Sequence, residues 1–168
     1  MIKTKRLVLR SFKETDLQDI YEYSKSPSIS NYMYFKRSDD VNKIKEYIDK
    51  IINEDRTGNK HSHTFAICYN KKVIGEIAIL FFEEANEIFW IISEEYQNQG
   101  FAYEAALSYL NYIKEKFPVK VIKAHCDIRN IPSKKLIEKL KFTYIHEGER
   151  VYPDSRNPSR EYSYELIL

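Results

Sequence analysis

The chain is predicted to fold as an α+β (mixed α/β) domain around a largely antiparallel sheet. Three observations carry this. Three β-rich runs, Thr64 to Tyr69, Val73 to Phe82 and the run opening at Glu87, follow one another through links too short for crossovers, which disfavours a doubly wound parallel sheet. Amphipathic helical stripes flank that meander on both sides. Two further strand-like runs close the chain. Its 168 residues contain no internal repeat, linker or low-complexity stretch, so residues 1–168 read as a single domain large enough to bury a real core.

Taken in order, Arg6-Leu7-Val8-Leu9-Arg10 alternates charge and aliphatic and reads as the first strand. Thr15-Asp16-Leu17-Gln18 has the pattern of a capping box, opening a helix that stops near Ser26-Pro27. A connecting segment, Ser28 to Arg37, holds Tyr32, Tyr34 and Phe35. Ser38-Asp39-Asp40 caps a second helix with the stripe Val41, Ile44, Ile48, Ile51 and Ile52, broken by Thr57-Gly58-Asn59. The hairpin across Asn70-Lys71-Lys72 and the turn Glu83-Glu84-Ala85-Asn86 lead into Glu87 to Ile92, an apolar, aromatic strand. A helix follows with Ala102, Ala105, Ala106, Tyr109, Leu110 and Ile113 at helical spacing, ended by Phe117-Pro118. Val119 to Ile128 is a strand, Pro132 stands in the first turn of a fourth helix, and Phe142 to His146 and Glu161 to Leu168 are the last strands.

Composition excludes several classes. With 27 basic and 25 acidic residues interspersed, the net charge of +2 provides no field for nucleic acid or an anionic membrane. No run approaches a membrane span, and the N-terminus lacks the apolar core of a signal peptide, so a cytoplasmic location is expected. Cys68 and Cys126 read as buried reduced thiols, and no Cys/His set has zinc-ligand spacing; no metal is expected. The 14 Tyr and 9 Phe against 4 Gly imply a thick aromatic core or an aromatic-lined cleft.

The chemistry concentrates at Gln97-Asn98-Gln99-Gly100-Phe101-Ala102, between a buried strand and a helix start. Backbone N–H groups of such a loop, with the partial positive charge of the helix terminus, suit a phosphate. The hexapeptide matches the Gln/Arg-x-x-Gly-x-Gly/Ala diphosphate loop of the GNAT superfamily of acetyl-CoA-dependent N-acetyltransferases. Asn130-Ile131-Pro132-Ser133, running into Leu136 and Lys139-Leu140-Lys141-Phe142, resembles that superfamily's second cofactor segment. Thr4 to Arg10, with Thr15-Asp16-Leu17 after it, is similar to the branch of ribosomal-protein N-terminal acetyltransferases.

The resemblance implies a sheet splayed at the cofactor strand, with helices on both faces. It implies acetyl-CoA as cosubstrate, held by Gln97 to Ala102, by the strand edge around Trp90, Ile91 and Ile92, and by Asn130 and Ser133. Transfer to a primary amine is direct, in a ternary complex. Glu87 is the candidate base, its alternative being a solvated carboxylate at a strand start. An N–H near Ile92 is the oxyanion donor. Two departures stand out. Ile137 occupies the place of a family Tyr that serves as general acid, leaving Ser133 as the nearest donor. Lys141 replaces the family Gly before Phe142, which implies a differently shaped turn. Tyr32, Tyr34 and Phe35 are the substrate candidates, with the last hairpin. The acceptor implied is a protein N-terminal α-amine. Alternatives are a small-molecule amine (polyamine, antibiotic or amino acid) or a non-catalytic CoA-binding module. Glu83-Glu84 and Glu94-Glu95 are the clusters a polyamine would favour. A monomer or homodimer is expected.

Overall fold

The computed structural model describes residues 1–33, 38–58, 61–83, 85–153 and 157–168. The elements run β1 Ile2–Lys3, β2 Val8–Arg10, α1 Leu17–Ser24, α2 Pro27–Ser30, α3 Val41–Thr57, β3 Ser62–Tyr69, β4 Lys72–Phe81 and β5 Asn86–Ile92. After β5 come α4 Phe101–Lys116, β6 Val121–Asp127, α5 Ile131–Lys139, β7 Thr143–Arg150 and β8 Ser159–Ile167. The strands form one sheet in the order β1-β2-β3-β4-β5-β6-β8-β7. Every pair is antiparallel except β5–β6, whose connection runs through α4 and gives the long crossover that parallel pairing needs.

Strand alternation divides the core in two. On one face Ile77, Ile79, Ile88, Ile92, Ile122 and Ala124 pack against α4 and α5 through Phe101, Tyr109, Ile113 and Ile137. On the other, Ala66, Cys68, Val73 and Ile91 meet α1 to α3 through Ile20, Tyr23, Ile44 and Ile48. Helices thus cover both faces, and Cys68 and Cys126 are buried free thiols, as the sequence predicts. Among the described residues no helix is long and apolar enough to cross a membrane.

Local capping explains most boundaries. Asp40 accepts a hydrogen bond from the Asn42 N–H at the start of α3, and Gly58, at φ 68°, ends it. The capping box expected at Thr15 does not form. Asp16 is instead buried and turned back, accepting from the Lys13 N–H at 2.8 Å and from both Arg10 guanidinium nitrogens at 2.7 and 2.8 Å. The bond from the Lys13 N–H caps the short turn Glu14–Asp16, one turn ahead of α1. Two elements go beyond the expectation: the short strand β1, and α2, for which Pro27 supplies the first-turn residue that needs no donor.

Lys141 stands in the turn after α5. Its φ is 70°, so a lysine adopts a left-handed conformation that favours glycine. The Lys141 N–H donates to Glu138 O and the Phe142 N–H to Ile137 O, closing α5 with paired Schellman-type bonds.

Candidate active site

The site begins where two parallel strands part. β5 pairs with β6 only at Asn86–Ile122 and Glu87–Lys123, while its pairing with β4 continues to Ile92 opposite Gly75. β6 stays paired with β8 over its full length, from Val121 to Asp127. From Ile88 to Ile92 the edge of β5 therefore has no strand partner on that side, and a cleft of about 1460 Å³ opens in the gap.

β4 holds the strand end in place. The Ser93 N–H donates to Ile74 O at 2.7 Å, and Ile74 bulges, since Ile67 faces Gly75 while Cys68 faces Val73. A Cβ at Gly75 would lie 2.1 Å from Ile91 O, so only glycine permits this approach.

The loop after β5 is tied down by its own side chains. Gln97 Nε2 donates to Ile92 O at 2.9 Å and Gln99 Nε2 to Glu95 O at 2.8 Å. Asn98 and Gly100 take left-handed φ values of 59° and 80°, folding the loop onto the start of α4. The N–H groups from Asn98 to Ala102 find no acceptor among the described residues.

The link between β1 and β2 braces this terminus from behind. Glu104 accepts from Thr4 Oγ1 at 2.6 Å and from the Arg6 N–H and Nε, both at 2.7 Å. Arg6 also donates to Gln99 O at 2.9 Å and lies 4.2 Å above the Phe101 ring. Phe101 is a core side chain, 3% exposed, so only its backbone can serve a ligand. Gln99 is the one expected loop residue that does not line the cleft.

Across the cleft, Asn130 is the N-cap of α5, its Oδ1 accepting from the Ser133 N–H at 3.2 Å. Both residues line the cleft, as do Trp90, Ile91, Ile92, Gln97, Asn98, Gly100, Phe101 and Ala102. Ile137 is 1% exposed and belongs to the core, so position 137 offers no donor here, and Ser133 is the hydroxyl of α5 that faces the cleft. Cys126 also lines it, but burial pushes its thiol up to about 11.

The opposite wall is polar. Glu87 faces the cleft, and burial raises its carboxyl above the usual range; Glu161 adds to the rise, while His125, Arg150 and Lys123 oppose it. The His125 Nδ1 lies 3.0 Å from Ser163 Oγ and 3.7 Å from Glu161 Oε1, and Glu161 is paired with Arg150.

Farther along, Asp127 is almost fully buried. Burial opposes its ionisation, but donation from Arg129, Ser159 and Tyr152 outweighs that and holds the carboxyl well below the usual carboxylate range. Arg129 reaches the cleft beside Tyr32, with its guanidinium 6.0 Å from the ring. Tyr32 lines the cleft; Tyr34 and Phe35 lie outside the described residues.

His125, Glu161 and Arg150 are absent from the expected site. The only trace in the sequence is the polar alternation Lys123, His125, Asp127 within β6. Buried Glu76 is also unanticipated; it accepts from Tyr47 Oη at 2.9 Å and Tyr23 Oη at 3.2 Å beneath the same wall. The acidic pair Glu94-Glu95 does not line the cleft. Glu94 instead takes hydrogen bonds from Ser26 and Ser28 at the start of α2.

An acetyltransferase (GNAT) domain model matches residues 6–143. The N-acetyltransferase YnaD of Bacillus subtilis (strain 168) is 28% identical over 171 residues, spanning 99% of this chain and 96% of its own. An acetyltransferase of the GNAT family from Bacillus anthracis has a similar structure, with a TM-score of 0.84 at 25% identity over 99% of this chain and 97% of that one. RimL, a ribosomal L7/L12 alpha-N-protein acetyltransferase solved with coenzyme A, shares the fold with a TM-score of 0.86 at 13% identity, over 98% and 96% of the two chains. With a splayed strand, a braced loop at a helix start and a family match over most of its length, the chain belongs to the GNAT family and is an acetyltransferase.

Proposed function

We propose that this enzyme moves an acetyl group from acetyl-CoA to a primary amine by direct attack in a ternary complex, and that the acceptor is a protein N-terminal α-amine. The observation that carries the reading is the gap between β5 and β6, bordered by free loop N–H groups on one side and by a half-buried carboxylate on the other. The diphosphate belongs at Asn98 to Ala102, where unpartnered amides and the terminus of α4 favour an anion. The pantetheine arm belongs along the free edge of β5, pairing as an added strand would. Because Gln97 occupies Ile92 O, that carbonyl is not among the groups offered to it.

Glu87 takes a proton from the acceptor ammonium, an N–H of β5 near Ile92 donates to the thioester oxygen as charge develops there, and Ser133 donates towards the departing sulfur. Cys126 stays a thiol at neutral pH and is a poor nucleophile, which favours direct transfer over an acyl-cysteine. The acceptor assignment rests on the fold shared with RimL and on the Thr4–Arg10 resemblance, while Glu94-Glu95, lying off the cleft, lends a polyamine no support.

Thermal denaturation with acetyl-CoA, followed by thiol release over an amine panel, tests this. Acetyl-CoA at 100 times its Kd stabilises the fold by about 2.7 kcal/mol. Peptides with free N-termini then release thiol faster than polyamines or free amino acids. Stabilisation with no thiol released on any amine would identify a binding module instead. Release on small amines alone would reassign the acceptor.

A further inference from the structure

The stoichiometry of amide formation leaves a proton to be removed. An ammonium acceptor carries three protons on nitrogen and the amide product keeps one. As the N–C bond forms and the C–S bond breaks, one of the two departing protons ends on sulfur. The other must reach solvent at every turnover, and Glu87, where it first lands, is a half-buried carboxyl whose ionisation burial disfavours.

Four neighbouring strands place a row of polar groups between Glu87 and the edge of the sheet. Glu87 pairs with Lys123, and His125 is the next residue of β6 on that face, roughly 7 Å along the strand. His125 lies opposite Ser163 of β8, with Nδ1 3.0 Å from the hydroxyl and 3.7 Å from Glu161 Oε1. Glu161 in turn meets Arg150 on β7, the outermost strand.

Of the other ionisable groups on this face of the packed strands, Lys123 lies 3.8 Å from Glu165, Asp127 is bound by Arg129, Tyr152 and Ser159, and His146 of β7, opposite Ser163, is exposed. Glu87, His125, Arg150 and Glu161 all line the cleft. A half-buried imidazole held by a hydroxyl and a carboxylate, one step from the base, is suited to accept a proton on one nitrogen and release one from the other.

We propose that His125 relays the proton from Glu87 towards Glu161 and the solvent at the β7 edge, so that it acts on the reaction through Glu87 and not on the acceptor itself. This rests on Glu87 being the base.

The test compares wild type, His125→Gln, His125→Ala and Glu161→Gln. Removing the ring takes away one of the three groups that oppose the rise at Glu87 and leaves Arg150 and Lys123 as the others, so the acid limb of kcat/KM in His125→Gln moves to higher pH. Glu161→Gln moves it to lower pH. Added imidazole restores part of kcat to His125→Ala, and the Kd for acetyl-CoA is the same in all four proteins. A His125→Gln profile that superimposes on wild type, or no response of His125→Ala to imidazole, overturns the relay.

A readout that needs no acceptor runs alongside, the NMR titration of the His125 ring. In Glu87→Gln the ring loses a neighbouring carboxylate and its pKa falls. An unmoved ring pKa also overturns the relay, whatever amine the enzyme uses. If the ring responds while Glu87→Gln turns over like wild type, the electrostatic influence between the two stands but Glu87 is not the base, and the relay falls together with that part of the mechanism.

Discussion

The two walls of the cleft are made of different materials. The α4–α5 side offers main chain: N–H groups from Asn98 to Ala102, with Gln97, Gln99 and Asn130 spending their side chains on holding backbone in place. The opposite side offers ionisable side chains: Glu87 of β5, and His125, Glu161 and Arg150 of β6, β8 and β7, which hold one another. Main chain suits a ligand whose charge never changes, because a diphosphate needs fixed donors and no proton exchange. Side chains suit the half of the reaction in which a proton moves. Breaking one wall should therefore leave the other's measurement untouched.

The largest expected effect lies on the side-chain wall. Glu87→Gln keeps the shape and removes the proposed base, so turnover should fall by about 10²- to 10³-fold, within the usual range for a general base. The acetyl-CoA Kd should not change. Because burial raises the Glu87 carboxyl, wild-type activity is lost as pH falls through that raised value, where the base becomes protonated. The variant lacks this limb. Its deficit is greatest between the Glu87 pKa and that of the acceptor amine, and shrinks at high pH, where the amine is already neutral. Equal turnover across pH would remove Glu87 from the mechanism.

A change in β4 should damage both walls, because they share β5. At Gly75 a methyl group would meet Ile91 O at 2.1 Å, and a carbonyl cannot step aside as a side-chain tip can. Gly75→Ala should cost about 3 kcal/mol, at the upper end for overpacking, or roughly 6–12 °C in Tm for a chain of this size. It should also weaken acetyl-CoA, since the displaced residues form the free edge of β5. Lost stability with unchanged cofactor affinity would show that this edge does not hold the cofactor.

The same division decides what could be read from sequence. The main-chain wall comes from contiguous stretches, Gln97 to Ala102 and Asn130 to Ser133, so its residues appear side by side in the chain. The side-chain wall is assembled by register. His125 meets Ser163 and Glu161 only because β6 pairs with β8, and Arg150 joins through β7. Glu87 was legible because it opens the strand that leads into the loop. Glu76 was not, since a lone carboxylate in the run Val73 to Phe81 has no local pattern to mark its tyrosine partners on α1 and α3. The helices were read from their apolar stripes, but α2, at four residues, is too short to show one.

At Lys141 residue type is a poor guide to backbone conformation for a different reason: the bonds from the Lys141 and Phe142 N–H groups to Glu138 O and Ile137 O go with a left-handed turn although a lysine stands there. Lysine bears this at a cost of about 1–2 kcal/mol relative to glycine, partly offset by the greater freedom glycine has when unfolded. The Lys141 side chain is exposed and outside the cleft. Lys141→Gly should therefore stabilise the fold by about 0.5–1 kcal/mol, a rise in Tm of roughly 1–4 °C. Turnover and acetyl-CoA affinity should stay as in wild type, because the substitution touches neither wall. A fall in Tm would mean that the Lys141 side chain contributes more than its backbone strain costs, and a change in cofactor affinity would extend the main-chain wall beyond α5 to the turn that ends it.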